Sequence, residues 1–165
     1  SKAYYLKSAR EVQGWLSQVI PNREQLFFPF IRGTATGDTL AQKLTMQALA
    51  RHPDILVVAM HLVPPGGTEN KVIAINEPTL FGHPSDQVDS GIAKSGETIM
   101  QLIPSSHRME VHMPLRDSHG LLIGTICTVF LWQTESQSAD FYVRSLAMRD
   151  ELAPQIPSYA ALFKP

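Results

Sequence analysis

The chain has 165 residues, 44% of them hydrophobic and 18% charged, with a formal net charge of -1. That is the length of one ordinary domain, with enough apolar material for a core without staples and too much for a disordered chain. The near balance of charge excludes a basic nucleic-acid surface. No run approaches the roughly 18 apolar residues of a membrane-spanning helix.

Tyr5, Ala9, Val12, Leu16 and Val19 recur at helical spacing and predict a first helix over residues 4–20, closed by Pro21-Asn22. Residues 23–37 hold Phe27-Phe28-Pro29-Phe30 and two glycines and read as a connection. It has no Gly-Lys-Ser/Thr and no preceding strand, so it is no phosphate loop. A second helix is expected from about Asp38 or Thr39 to Arg51, with Asp38 as N-cap, ended by His52-Pro53. The pattern then turns to β-branched runs. Strands are predicted over residues 54–63 and 70–76, separated by Pro64-Pro65-Gly66-Gly67. A proline-bearing loop leads to a short helix over residues 86–94, with Gly96 as its stop. Three more strands follow over 98–103, 108–116 and 121–132, the last two joined by Asp117-Ser118-His119-Gly120, a hairpin turn ending in glycine. A closing helix is expected over 136–152, ended by Pro154 and Pro157, with a tail that packs back on the domain.

In the fourth predicted strand Met109, Val111, Met113 and Leu115 share one face, and Arg108, Glu110, His112 and Pro114 the other. The fifth is apolar on both faces, which marks a central strand covered on both sides. The first looks the same, so the first and fifth should be neighbours. Connection lengths suit an antiparallel sheet and not βαβ units.

Two strands, a short helix and three strands, with the first and last paired centrally, is PAS topology. Residues 113–124, Met-Pro-Leu-Arg-Asp-Ser-His-Gly-Leu-Leu-Ile-Gly, resemble the hairpin of extracytoplasmic PAS-like sensors of the Cache type. His52-Pro53-Asp54, Pro84-Ser85-Asp86 with Ser95-Gly96, and the segment 149–157 resemble further stretches of a group of secreted bacterial PAS-like proteins of unknown function. The resemblance implies one α+β domain over residues 1–165, with 1–37 as N-terminal helix and connection and 38–165 as core. Its five-stranded antiparallel sheet would run in the order 2-1-5-4-3. It also implies a secreted or periplasmic setting, although the chain opens Ser1-Lys2-Ala3-Tyr4 without an apolar leader. The aromatic box of amino-acid-binding Cache domains has no counterpart here, because no Tyr or Trp lies between Asp54 and Leu131.

The candidate ligand-binding residues are His61, Asn76, Arg108 and His112. His61 interrupts an apolar strand, either as a hydrogen-bonded core histidine or as a pocket wall. Arg108, Glu110 and His112 form either a solvated face or the wall of a pocket for a small carboxylate, with Arg108 as bidentate donor. Asn76 is a turn residue first and a ligand contact second. Asp86 and Asp89 read as helix-start capping residues. His83, His107 and His119 read as surface loop residues. The single cysteine, Cys127, excludes an internal disulfide and a cysteine-based zinc site and reads as a small buried hydrophobe. No metal-ligand spacing, C-x-x-C-H haem motif or nucleophile elbow is present, so no cofactor, no metal and no catalysis are expected. The expected function is a non-catalytic small-molecule-binding sensory or solute-binding module, with the ligand between the sheet and residues 78–96. The alternative is a structural or homodimerising module in which the first helix pairs with its copy.

Overall fold

A computed structural model describes residues 37–165. The predicted first helix and most of the connection after it, and with them the surface expected to pair with a second copy, lie outside the described residues.

The elements are α1 (Leu40–Arg51), β1 (Val57–Leu62), β2 (Lys71–Ile75), α2 (Gln87–Ser95), β3 (Ile99–Ile103), β4 (Arg108–Arg116), β5 (Leu122–Leu131) and α3 (Ser138–Leu152), with short 3-10 turns between them. The sheet is antiparallel throughout, in the order β2-β1-β5-β4-β3. The fold is therefore α+β with the strand order expected from the sequence. The N-cap of α1 is Thr39 rather than Asp38: the Thr39 hydroxyl accepts from the Gln42 amide, while Asp38 forms an exposed pair with Lys43. A hydroxyl one residue later suffices for the cap, because it reaches the same orphan N–H groups.

The β4–β5 hairpin is set by its turn. Asp117 is buried, and its Oδ1 accepts from the amides of His119 and Leu121. Gly120 sits at φ +79°, a left-handed conformation that L side chains rarely adopt. Ser118 donates its amide to the Ile156 carbonyl, which ties the C-terminal tail to the turn.

One face of the sheet carries Val58, Met60, Met109, Val111, Met113, Leu115, Ile126 and Phe130 and is closed by α1 and α3. Phe130 stacks on Phe141 of α3 at 4.5 Å between ring centroids, worth about 0.5–1.5 kcal/mol beyond the area buried. Arg144 lies over both rings and pairs with Asp54 and Asp140. Thr128, inside this apolar face, meets Ser145 at 2.7 Å, and Ser145 donates to the Phe141 carbonyl, so a buried hydroxyl pair costs no orphaned donor.

Strand β2 is at an edge, yet its outer side is occupied. Gln42 of α1 donates its side-chain amide to the Ile75 carbonyl and accepts the Ile75 amide, at 3.0 and 3.1 Å. Val72 exchanges backbone hydrogen bonds with His83 and Gly82. Such covering is a usual defence of an exposed strand.

The second face of the sheet holds Val57, Ala59, Val72, Ile75, Cys127 and Val129, and beside them His61, Thr125, Glu110 and His112. Helix α2 lies over the polar end of this face, against β5, β4 and β1. Among the described residues no helix is long and apolar enough to cross a membrane.

Candidate functional site

The register of the central strands assembles the polar cluster. His61 of β1 stands opposite Thr125 of β5, Ala59 opposite Cys127, and Cys127 opposite His112 of β4. Opposite residues of an antiparallel pair project to one side, so these side chains converge above one face. Helix α2 supplies the remaining partner. Asp86 caps its start, accepting from the Asp89 amide, and Gly96 ends it at φ +71°. Thr125 donates its hydroxyl to the Asp89 carbonyl at 2.7 Å, pinning the first turn to β5 and turning Asp89 toward the sheet.

Asp89 is the hub. Its Oδ1 lies 2.9 Å from Nδ1 of His112, and its Oδ2 lies 3.2 Å from Nδ1 of His61. All three side chains are less than a tenth exposed. His61 Nδ1 is also 2.9 Å from the Ser85 hydroxyl, which donates onward to Oδ1 of Asn70 at 3.0 Å. A serine hydroxyl has one proton to give, so His61 Nδ1 carries the hydrogen in the bond to Ser85.

One carboxylate between two imidazoles cannot hold both as cations, and the geometry divides them. Burial pushes His61 below its ordinary value, and the Asp89 charge does not make up the loss. Burial acts the same way on His112, but Asp89, then Cys127 and Glu110, outweigh it and push it up to about 12. The arrangement is a His112 cation on the Asp89 anion with a neutral His61 beside it. On its other side, His112 Nε2 lies 3.3 Å from Glu110 Oε2 and near Cys127, but is aligned with neither and is buried without a hydrogen-bond partner. Burial raises the Cys127 thiol above its usual range, so it stays protonated here.

Of the four residues singled out from sequence, His61 and His112 are brought together through Asp89, and the other two stand apart. Asn76 is fully buried, and its side chain is spent on β1: it accepts from the Val58 amide at 3.1 Å and donates to the Leu56 carbonyl at 2.9 Å. Arg108 lies at the start of β4, four residues and roughly 13 Å along the strand from His112, opposite Ile103 and Leu131. His112 is buried and not on a solvated face, because α2 covers that end of β4. Asp89 was not legible as more than a cap. Its signal is its place: Asp89 and Ile92, three apart, are the two buried residues of α2, and an acid on the inward face of a helix needs a partner. Cys127 is buried as expected. A single cysteine nonetheless does not exclude a mixed site, since Glu110, His112 and Cys127 bring three ligand atoms within 4.8 Å of one another. His83, His107 and His119 are exposed.

A cleft of about 370 Å³ opens beside the cluster, between α2, the end of β1 and the start of β5. Leu62, Leu122, Ile123 and Ala93 give it apolar walls, and Asn70, Ser90 and Lys94 its polar ones. Lys94 is the one charged residue in its lining. Tyr159 of the C-terminal tail closes it, donating its hydroxyl to the Val63 carbonyl. Gly124 lines it too, and β5 runs so close to β1 there that a Cβ would fall 2.6 Å from the His61 carbonyl oxygen and from Leu62 Cγ.

No protein-family model and no curated protein matches the chain. Solved structures with similar topology include the GAF domain of an Acinetobacter phosphoenolpyruvate-protein phosphotransferase. It is 14% identical, covers 79% of this chain and 96% of that one, and has a TM-score of 0.46. The second GAF domain of DevS from Mycobacterium smegmatis is 10% identical over 67% of this chain and 88% of that one, at 0.45. The Agobacterium tumefaciens repressor BlcR is 10% identical over 94% and 86%, at 0.49. At these identities and scores the likeness is no guide to ligand or mechanism.

Proposed function

We propose that this chain is a non-catalytic, small-molecule-binding sensory module whose ligand is a small carboxylate with an apolar body. The observation that carries the reading is the cleft between α2 and the ends of β1 and β5. Apolar and polar groups share its walls in nearly equal measure, and its one charged residue is the cation Lys94. Apolar walls with a few placed polar groups are what small-ligand sites use. Lys94 would neutralise the carboxylate. Asn70, whose Oδ1 already accepts from Ser85, has its amide hydrogens as remaining polar capacity. The anion expected from sequence is thereby kept, with Lys94 in place of Arg108 as its cation. The cleft also touches the element that would transmit occupancy, because Ser90, Ala93 and Lys94 belong to α2, which carries Asp89. An extracytoplasmic setting is part of the proposal and rests on the resemblance of residues 113–124 to Cache-type hairpins.

The test is a thermal-shift screen of the full chain against short aliphatic and aromatic monocarboxylates and their amides. A true ligand at 100 times its Kd stabilises by about 2.7 kcal/mol. The acids should raise Tm, the amides should not, and Lys94→Ala should abolish the shift. No shift with any acid, or equal shifts in Lys94→Ala, would overturn the reading.

A further inference from the structure

We propose that Glu110, His112 and Cys127 form a binding site for a divalent transition-metal ion, with zinc the best match. The site is separate from the cleft, and none of the three residues lines it.

Three observations converge. The donor atoms, a carboxylate oxygen, an imidazole nitrogen and a thiol sulfur, lie within 4.8 Å of one another on adjacent strands. His112 Nε2 points among them, buried and without a hydrogen-bond partner among the described residues, a state that ordinarily costs a protein free energy. Its opposite nitrogen, Nδ1, is held by Asp89 at 2.9 Å. A carboxylate behind a ligating histidine is the usual support of a metal site, because it fixes the ring and raises the basicity of the ligating nitrogen.

The donor set selects the ion. One sulfur, one nitrogen and one oxygen suit a borderline ion such as zinc, whereas calcium and magnesium demand oxygen. Bonds of about 2.0–2.3 Å require the three atoms to draw in by roughly 1 Å, which rotation of Glu110 and Cys127 can supply. Binding would release two protons to solvent, the thiol proton of Cys127 and the Nε2 proton of the His112 cation, while Nδ1–H stays on Asp89. Three protein ligands leave a fourth position open, and Ala59 and Val129, opposite Cys127 and Glu110 in register, flank the site with apolar surface. Glu110 is the half-buried member, at 27% side-chain exposure, and marks the side from which an ion would arrive.

The test uses the full chain, stripped with a chelator and titrated with Co(II) alone, then back-titrated with Zn(II). One Co(II) per chain should bind, giving a near-ultraviolet thiolate charge-transfer band and intense visible bands of four-coordinate cobalt, both bleached by Zn(II). Cys127→Ser should lose the charge-transfer band. Glu110→Gln, at a half-buried position where an amide fits, should weaken binding at least tenfold with an unchanged circular dichroism spectrum. Asp89→Asn should weaken it by about 10–100-fold, and Lys94→Ala should leave it intact. Absence of the band in the wild-type chain would overturn the proposal. So would wild-type affinity in Glu110→Gln, which decides the matter even if Cys127→Ser does not fold.

Discussion

At the scale of single residues, the molecule turns on Asp89. A buried carboxylate is tolerated only because His112 answers its charge and His61 its remaining oxygen. Removing one partner of a buried pair strands the other, so Asp89→Ala should lower the unfolding free energy by about 3–5 kcal/mol, and Asp89→Asn by less, as read by urea denaturation. The two histidines also give stability a pH optimum in chelator-treated protein. His61 binds its proton less readily in the fold than the ordinary value of 6.5, so below that pH the unfolded chain takes up a proton that the fold refuses, and stability falls with acid. His112 does the reverse. Its contribution is complete below 6.5 and erodes as pH climbs toward about 12, because the unfolded chain gives up that proton first. The two limbs meet near pH 6.5. From pH 6.5 to about 9, below the range where the raised Cys127 thiol adds its own loss, the alkaline limb should decline by no more than about 1.4 kcal/mol per pH unit, one proton's worth, and should flatten in Asp89→Asn. An unchanged alkaline limb in that variant would show that His112 does not draw its proton affinity from Asp89.

At the scale of elements, strand identity was far more legible than the site. Alternation of Met109, Val111, Met113 and Leu115 against Arg108, Glu110, His112 and Pro114 gave β4 its bounds and its buried face, since period-two patterning is a direct image of the pleat. The double apolar face of residues 121–132 marked β5 as central, and it pairs with β1 and β4. The polar face misled, because alternation tells which side a residue takes and not what covers that side. Helix α2 covers it, and its inward Asp89 resembles a capping residue in any local window. Arg108 was placed by the polar face of β4 and Asn76 by the end of β2, and position along a strand does not reveal that the Asn76 amide is already spent on the backbone of Leu56 and Val58. Gly124 shows a further limit: no local pattern reveals that it is the place where β5 passes tightly against β1. Gly124→Ala should cost about 1–3 kcal/mol by overpacking and reduce carboxylate binding in the adjacent cleft. A variant of wild-type stability would mean that β1 shifts freely there.

At the scale of the whole molecule, the sheet divides two duties. The face toward α1 and α3 is a closed apolar core in which Thr128 and Ser145 pair with each other. The face toward α2 carries the titratable groups, the thiol and the cleft. Stability and chemistry are thus separated by the thickness of one sheet, and substitutions should sort accordingly. Phe141→Ala should cost about 3–5 kcal/mol in urea while leaving cobalt affinity of the folded fraction unchanged. Coupled losses of both would show that the faces are not independent.

Gln42 carries a consequence for life in a crowded solution. By holding both the amide and the carbonyl of Ile75, one helical side chain impersonates the next strand of the sheet. A leucine there would keep the helix and its packing volume but leave β2 offering a live template at its rim. Gln42→Leu should therefore reveal itself less as a softer protein than as a sticky one, growing by strand-to-strand addition at concentrations where the parent chain stays dispersed, a difference that light scattering would follow over hours.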